Sequence, residues 1–285
     1  MSKQKVVVTG AAGRMAGLIL DDLRQRYDLT ALDIRTTNRD GEEVEGIQIV
    51  DLINEDRSAY REYFRGAYAV CHFGFIQTPD HSQVDTYFHN EYGNVRMAYN
   101  VYQAAWEENV RRVIMVSSNH AADYYEPLIL DGKYDFVDPN GRARSDNYYG
   151  WAKEVYEHLG FVFAAGQVNG RPLENVQIRI GGPRETDVAN APLGDLRRMR
   201  RALAVYMSQR DMAQLFIKSI ETEDIRDEFG VPFQIFYGIS NNSHAFWSIA
   251  NARKIIGYEP QDNSEVRFQA LIAEHIRAAQ KEADG

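Results

Sequence analysis

Three observations predict an α/β fold, a doubly wound parallel sheet with a small C-terminal lobe. Short β-branched runs of four to six residues alternate with segments of helical periodicity. The first such run ends in a glycine-rich turn that opens onto a helical pattern. The chain has 285 residues, 44% of them hydrophobic and 26% charged, enough for a dry core in one large domain.

The first strand is Lys5–Thr9, followed by Gly10-Ala11-Ala12-Gly13 and then by a helix over 15–26, where Met15, Leu18, Ile19 and Leu23 return at helical spacing. Strands follow at 29–34 and 46–50, a short helix at 58–64 and a strand at 69–73. A long helix covers 84–109, its apolar residues recurring at three- and four-residue intervals. Residues 113–116 form a buried strand that runs into Ser117-Ser118-Asn119-His120. A polar loop (124–147) leads to a helix at 149–163 and a sixth strand at 176–180. Past Gly181 come a Pro/Asn/Gly loop (183–194), the basic run Arg197-Arg198-Met199-Arg200-Arg201, a helix through 203–220, a strand near 233–237 and a C-terminal helix from about Val266. Alternation of this kind indicates right-handed βαβ units. The expected division is a nucleotide-binding sheet over 1–181 and a small substrate lobe over 182–285, packed together as one unit.

The balance of 41 acidic against 32 basic side chains, −9 overall, argues against a nucleic-acid partner. The single cysteine, Cys71, lies in an apolar stretch and reads as a buried, inert thiol. Residues 1–5 run straight into Val6-Val7-Val8 without a secretory h-region, and no run of about 18 apolar residues follows, so a cytoplasmic protein without membrane contact is expected.

Glycines at a strand-to-helix turn permit positive φ and let the backbone approach a pyrophosphate, while the helix start supplies amide donors. The spacing here is G-x-x-G-x-x-A with Gly17 adjacent, and Asp33 stands about 20 residues on, placed to accept a bond from an adenosine ribose hydroxyl. This is the start of a Rossmann-type sheet. Asp33 would repel a 2′-phosphate and so favours NAD over NADP, although Arg14 and Arg35 could accommodate one. Asp51-Leu52 ends the third strand, where Asp51 could meet an adenine amine or simply cap the turn.

The second constellation is Tyr149-Gly150-Trp151-Ala152-Lys153. At i and i+4, Tyr149 and Lys153 share a helix face, and an ammonium nearby favours the phenolate needed for general-base work.

In these motifs the chain resembles the short-chain dehydrogenase/reductases, in the extended branch of NAD-dependent epimerases and dehydratases. The resemblance spans residues 6 to about 256 and rests on residues 9–13, Asp33, Asp51-Leu52, His72-Phe73-Gly74, Asn90 with Gly93, Ser117-Ser118, Tyr149 with Lys153, and Arg179-Ile180-Gly181. The run Val116-Ser117-Ser118-Asn119-His120 and Ile256-Gly257-Tyr258-Glu259-Pro260 are more particular and resemble uronate dehydrogenase-like sugar dehydrogenases. About 130 residues follow Lys153, a short C-terminal part for an enzyme holding a nucleotide sugar.

The resemblance implies a homo-oligomer paired through the helices at 84–109 and from Tyr149, and it implies roles. NAD would contact Gly10, Ala12, Gly13, Arg14, Met15, Asp33, Ile34, Arg35, Asp51, Leu52, Phe73, Gly74, Phe75, Asn90, Ser117, Tyr149, Lys153 and Ile180. Tyr149 would remove a proton from a sugar hydroxyl, Lys153 would hold the nicotinamide ribose and stabilise the phenolate, and Ser118 would bond the reacting oxygen. Asn119 and His120 would orient ring hydroxyls; a loop histidine bonded to backbone is the plainer reading of His120. Arg201 aligns with an arginine that binds a uronate carboxylate, with Arg197, Arg198 and Arg200 close enough to compete. Phe75 and Gln77 replace the family's residues after Gly74, and Gly182 replaces a serine, so the redox chemistry is expected to persist with a reshaped sugar pocket.

No metal-ligand spacing is seen around His81, His89 or His120. Trp106, Trp151 and Trp247 read as core or interface residues, Trp247 being a candidate for the pocket wall. The expected activity is oxidation of C1 of a cyclic aldose or sugar acid to a lactone, with a nucleotide-sugar epimerase or dehydratase and a non-catalytic dinucleotide sensor as rivals.

Overall fold

A computed structural model describes residues 3–284; Met1 and Ser2, the first positions of the segment expected to run straight into the first strand, and Gly285 lie outside the described residues. Seven strands, β1 (Lys5–Thr9), β2 (Asp28–Asp33), β3 (Ile47–Ile49), β4 (Ala69–His72), β5 (Arg112–Ser118), β6 (Glu174–Ile180) and β7 (Phe233–Gly238), form one sheet of order β3-β2-β1-β4-β5-β6-β7. Every pairing is parallel. The helices are α1 (Arg14–Gly17), α2 (Leu20–Arg26), α3 (Val84–Glu107), α4 (Tyr125–Leu130), α5 (Tyr148–Ala165), α6 (Glu185–Ala189), α7 (Leu196–Val205), α8 (Gln209–Glu221), α9 (Ala250–Ile256), α10 (Ser264–Arg267) and α11 (Gln269–Asp284).

The inner strands β1 and β4 are buried almost throughout because both faces of the sheet are covered there. Val6 and Val8 join Leu23 of α2 and Leu215 and Phe216 of α8, whereas Val7, one residue out of phase, joins Ala98 and Val101 of α3 and Tyr156 of α5. Alternation along the pleat thus sends neighbouring residues into two separate cores. Each fully buried valine or leucine contributes about 1.5–3 kcal/mol by leaving water. The strand order reverses between β1 and β4, which opens a crevice at their carboxyl ends, and Thr9, Asp33, His72, Ser118 and Ile180 all end strands there.

Several elements differ from expectation. The helix expected at 15–26 is broken into α1 and α2, with Gly17 ending the first and an Ile19 to Ala16 bond tightening the join. Residues 58–64 form two 3-10 turns, Arg57–Ala59 and Arg61–Phe64. The loop at 124–147 contains α4, and the loop at 183–194 contains α6. The helix expected through 203–220 is two: the chain leaves α7 at Tyr206 to bridge Gly182, and Ser208 then caps α8 by accepting from the Asp211 amide at 3.2 Å. The basic run belongs to α7.

Beyond residue 181, β7 extends the main sheet and α8 covers it, so only α6, α7, α10 and α11 stand as a separate layer. Their cluster joins Met199 and Leu203 to Phe268, Leu271 and Ile272.

Candidate active site

A cleft of about 1460 Å³ lies along the carboxyl ends of the strands. At one end Gly10 turns the chain at φ +67°, and a Cβ there would stand 2.5 Å from the Gly74 nitrogen. The turns after β1 and β4 therefore pack backbone on backbone, an approach open only to glycine. Asp33, at the end of β2, accepts from the Ala12 amide at 2.9 Å and the Ile34 amide at 2.7 Å. Backbone cradle and carboxylate together fit a dinucleotide.

At the other end α5 begins where the Asn147 side chain accepts from the Gly150 amide at 3.0 Å. Gly150 is obligatory, since a Cβ would fall 2.1 Å from the Ser145 hydroxyl and 2.2 Å from the His120 carbonyl. The Tyr149 amide donates to the Tyr87 hydroxyl at 2.9 Å, anchoring the first turn of α5 to α3. One turn on, Lys153 is buried, donates to the Val116 carbonyl at 3.1 Å, and sits 5.0 Å from the Phe75 ring centre and 5.4 Å from that of Tyr149. Burial lowers the Lys153 ammonium to about 8, against the pull of Glu91 and Glu157. Burial raises Tyr149 above its ordinary value, with the Ser118 hydroxyl acting the other way.

Of the residues singled out from the sequence, the cleft wall holds Gly10, Gly13, Arg14, Met15, Asp33, Ile34, Arg35, Asp51, Leu52, Phe73, Gly74, Phe75, Gln77, Ser117, Ser118, Asn119, His120, Tyr149, Lys153, Ile180 and Arg201. Two fall elsewhere. Ala12 is buried behind the turn, its amide committed to Asp33. Asn90 donates to the Thr78 hydroxyl at 3.2 Å and braces that loop. Ser117 reaches the wall, but its hydroxyl donates to Glu157 at 2.7 Å. Among the four neighbouring arginines only Arg201 faces the cleft; Arg197 pairs with Asp131 and Arg198 with Asp195. Trp247 is 2% exposed, packed on Phe246 at 4.0 Å, and lines no part of the cleft. His120 is held at Nδ1 by the Asp123 carboxylate at 2.9 Å, not by backbone.

Sequence reasoning missed Glu91, Asp123 and Asn147, all on the wall. Glu91 is 1% exposed, accepts from Asn94 at 3.1 Å, and is pushed by burial to about 7. Asn94 in turn holds the Ile76 amide at 2.7 Å and carbonyl at 3.1 Å. Its spacing from Tyr87 and Glu91 on one face of α3 was the available signal. Among the described residues no cluster of three or more His, Cys, Asp or Glu could hold a metal, and no helix is long and apolar enough to cross a membrane.

Three curated relatives are each 28% identical to this chain. An NAD-dependent glucose-6-phosphate dehydrogenase of Haloferax volcanii aligns over 92% of this chain and 94% of its own length. A uronate dehydrogenase of Pseudomonas syringae pv. tomato aligns over 94% and 85%, and an L-arabinose 1-dehydrogenase (NAD(P)(+)) of H. volcanii over 91% and 97%. The crystal structure of uronate dehydrogenase from Agrobacterium tumefaciens shares the fold, with a TM-score of 0.73 at 23% identity over 96% of this chain and 90% of that one. Residues 6–176 match the NAD dependent epimerase/dehydratase family, and the chain belongs to it.

Proposed function

We propose that this protein is an NAD-dependent sugar dehydrogenase that oxidises C1 of a cyclic aldose or sugar acid to a lactone. The observation that carries the reading is the convergence of Tyr149, Lys153 and Ser118 on one cleft that continues into the Gly10 and Asp33 cradle. The cradle and the wall of Phe73, Gly74 and Ile180 would hold NAD, whose nicotinamide supplies the hydride acceptor. Tyr149 takes the proton of the C1 hydroxyl; the Lys153 ammonium stabilises the phenolate that accepts it, and Ser118 bonds the reacting oxygen. Asn119 and His120 orient the other hydroxyls of the ring. The three relatives, all sugar dehydrogenases by name, support this reading over a sensor or an epimerase.

Self-association through α3 and α5 belongs to the same proposal. Phe88, Tyr92 and Tyr99 of α3 and Tyr148 and Phe161 of α5 are each at least 37% exposed, an aromatic patch suited to a second copy. The single buried Cys71 accords with a cytoplasmic setting.

The deciding experiment incubates the purified protein with NAD and free uronates, aldoses and sugar phosphates and follows the reduced-nicotinamide absorbance. Turnover of a nucleotide sugar without net NAD reduction by any free sugar would sink the proposal.

A further inference from the structure

The substrate end of the cleft is charge-balanced in a way that bears on which sugar it takes. Glu126 of α4 is buried behind the wall at 9% exposure. One of its oxygens accepts from Arg201 Nε at 2.9 Å; the other accepts from Arg201 Nη2 at 3.2 Å and from Asn119 Nδ2 at 2.9 Å. A single carboxylate thus holds two of the side chains that face the substrate. A second, Asp123, holds His120 at 2.9 Å and Asn147 at 3.0 Å. A further guanidinium on the cleft wall, Arg184, bonds Asp187 at 2.8 Å. The contrast lies at the dinucleotide end, where Arg14 and Arg35 have no carboxylate partner among the described residues, while Arg39 donates to the Gln77 side chain.

Resting on the dehydrogenase reading above, we propose that Glu126 is a specificity-determining residue and that the substrate is a neutral aldose, bearing hydroxyls where a uronate has a carboxylate or a sugar phosphate has a phosphate. An anion approaching Arg201 also feels the Glu126 carboxylate bonded to it behind the wall, so much of the guanidinium's attraction is cancelled and little is left to offset the cost of desolvating the anion. A hydroxyl faces no such conflict, because it can accept from Arg201, Asn119 or His120 without bringing a charge to be desolvated. Discrimination then comes from the charge that withholds attraction from the wrong substrate as well as from the contacts to the right one.

The test compares kcat/KM with NAD for sugars matched except at C6: D-glucose, D-glucuronate and glucose 6-phosphate, and D-galactose and D-galacturonate, with L-arabinose as a sugar lacking C6. The wild type is expected to favour a neutral sugar over its anionic counterpart by at least about tenfold. Glu126→Gln keeps the shape and an acceptor for Arg201 while removing the charge, and should raise the uronate-to-aldose ratio about tenfold. A wild-type preference for the uronate or the phosphate overturns the proposal while leaving the dehydrogenase intact, and so does an unchanged ratio in the variant. The wild-type ranking decides independently of how well the variant folds. Failure of every free sugar to reduce NAD removes the dehydrogenase reading itself.

Discussion

Glu157 and Arg179 form a bidentate ion pair, 2.8 and 2.7 Å, between α5 and β6, with side chains 5% and 1% exposed. Arg179 also donates to the Tyr237 hydroxyl at 2.9 Å, and Ser117 donates to Glu157 at 2.7 Å, so one buried network ties α5 to β5, β6 and β7. Burial opposes the guanidinium charge, but the Glu157 carboxylate overrides it and holds Arg179 above its ordinary value. The helix so fixed is the one that carries Tyr149 and Lys153.

Removing one partner should therefore be costly. Arg179→Met strands Glu157 without its counter-charge and should lose about 3–5 kcal/mol in urea denaturation. Replacing both residues by apolar ones of similar volume should recover most of that loss. A single variant within 1 kcal/mol of the wild type would show that the pair does not brace the helix.

Tyr149→Phe removes the proposed base and nothing that touches the dinucleotide cradle on β1 and β2. Turnover should fall by about 10²–10⁴, with NAD affinity by calorimetry close to that of the wild type. Loss of NAD binding would mean that Tyr149 holds cofactor and is not the base.

Much of this site could be read from the chain because its parts are local. A glycine turn, an i to i+4 pair and a serine at a strand end are each written within a few residues, and the strands could be placed to within a residue or two because most carry a short buried apolar run. The parts that could not be read are long-range. The pairing of Arg201 with Glu126 joins positions 75 residues apart, and nothing near either residue announces the other. The α4 helix, six residues long with Pro127 in its first turn, has too few residues to show a period. The break before α8 did carry a local sign, Ser208 followed three residues later by Asp211, a capping pattern set inside an apolar run.

Asp33 should govern cofactor choice. Its carboxylate lies where a ribose 2′-hydroxyl is bound in folds of this kind and repels a 2′-phosphate, while Arg14 and Arg35 line the same part of the cleft. Asp33→Ser removes the repulsion and leaves both guanidiniums, so the NADP-to-NAD ratio of kcat/KM should rise at least about tenfold. Wild-type protein that already uses NADP much more efficiently than NAD would contradict the assignment.

Glu91 should shift the pH range in which the site works. In the proposed oxidation the reactive form has Tyr149 without its proton and Lys153 with its own, so the two limbs of the kcat/KM profile belong to the pair, with Lys153 lowered by burial to about 8 and Tyr149 raised by it. The Glu91 carboxylate raises both groups, because a negative charge opposes formation of the phenolate and favours the ammonium. Glu91→Gln should therefore move both limbs of the profile to lower pH. Glu91 itself is pushed by burial to about 7, so below that pH it is protonated in the wild type and the two proteins should converge. The difference between them must open as pH rises through 7. Profiles that coincide at pH 8, or a variant displaced to higher pH, would show that Glu91 does not act on Tyr149 and Lys153 through its charge.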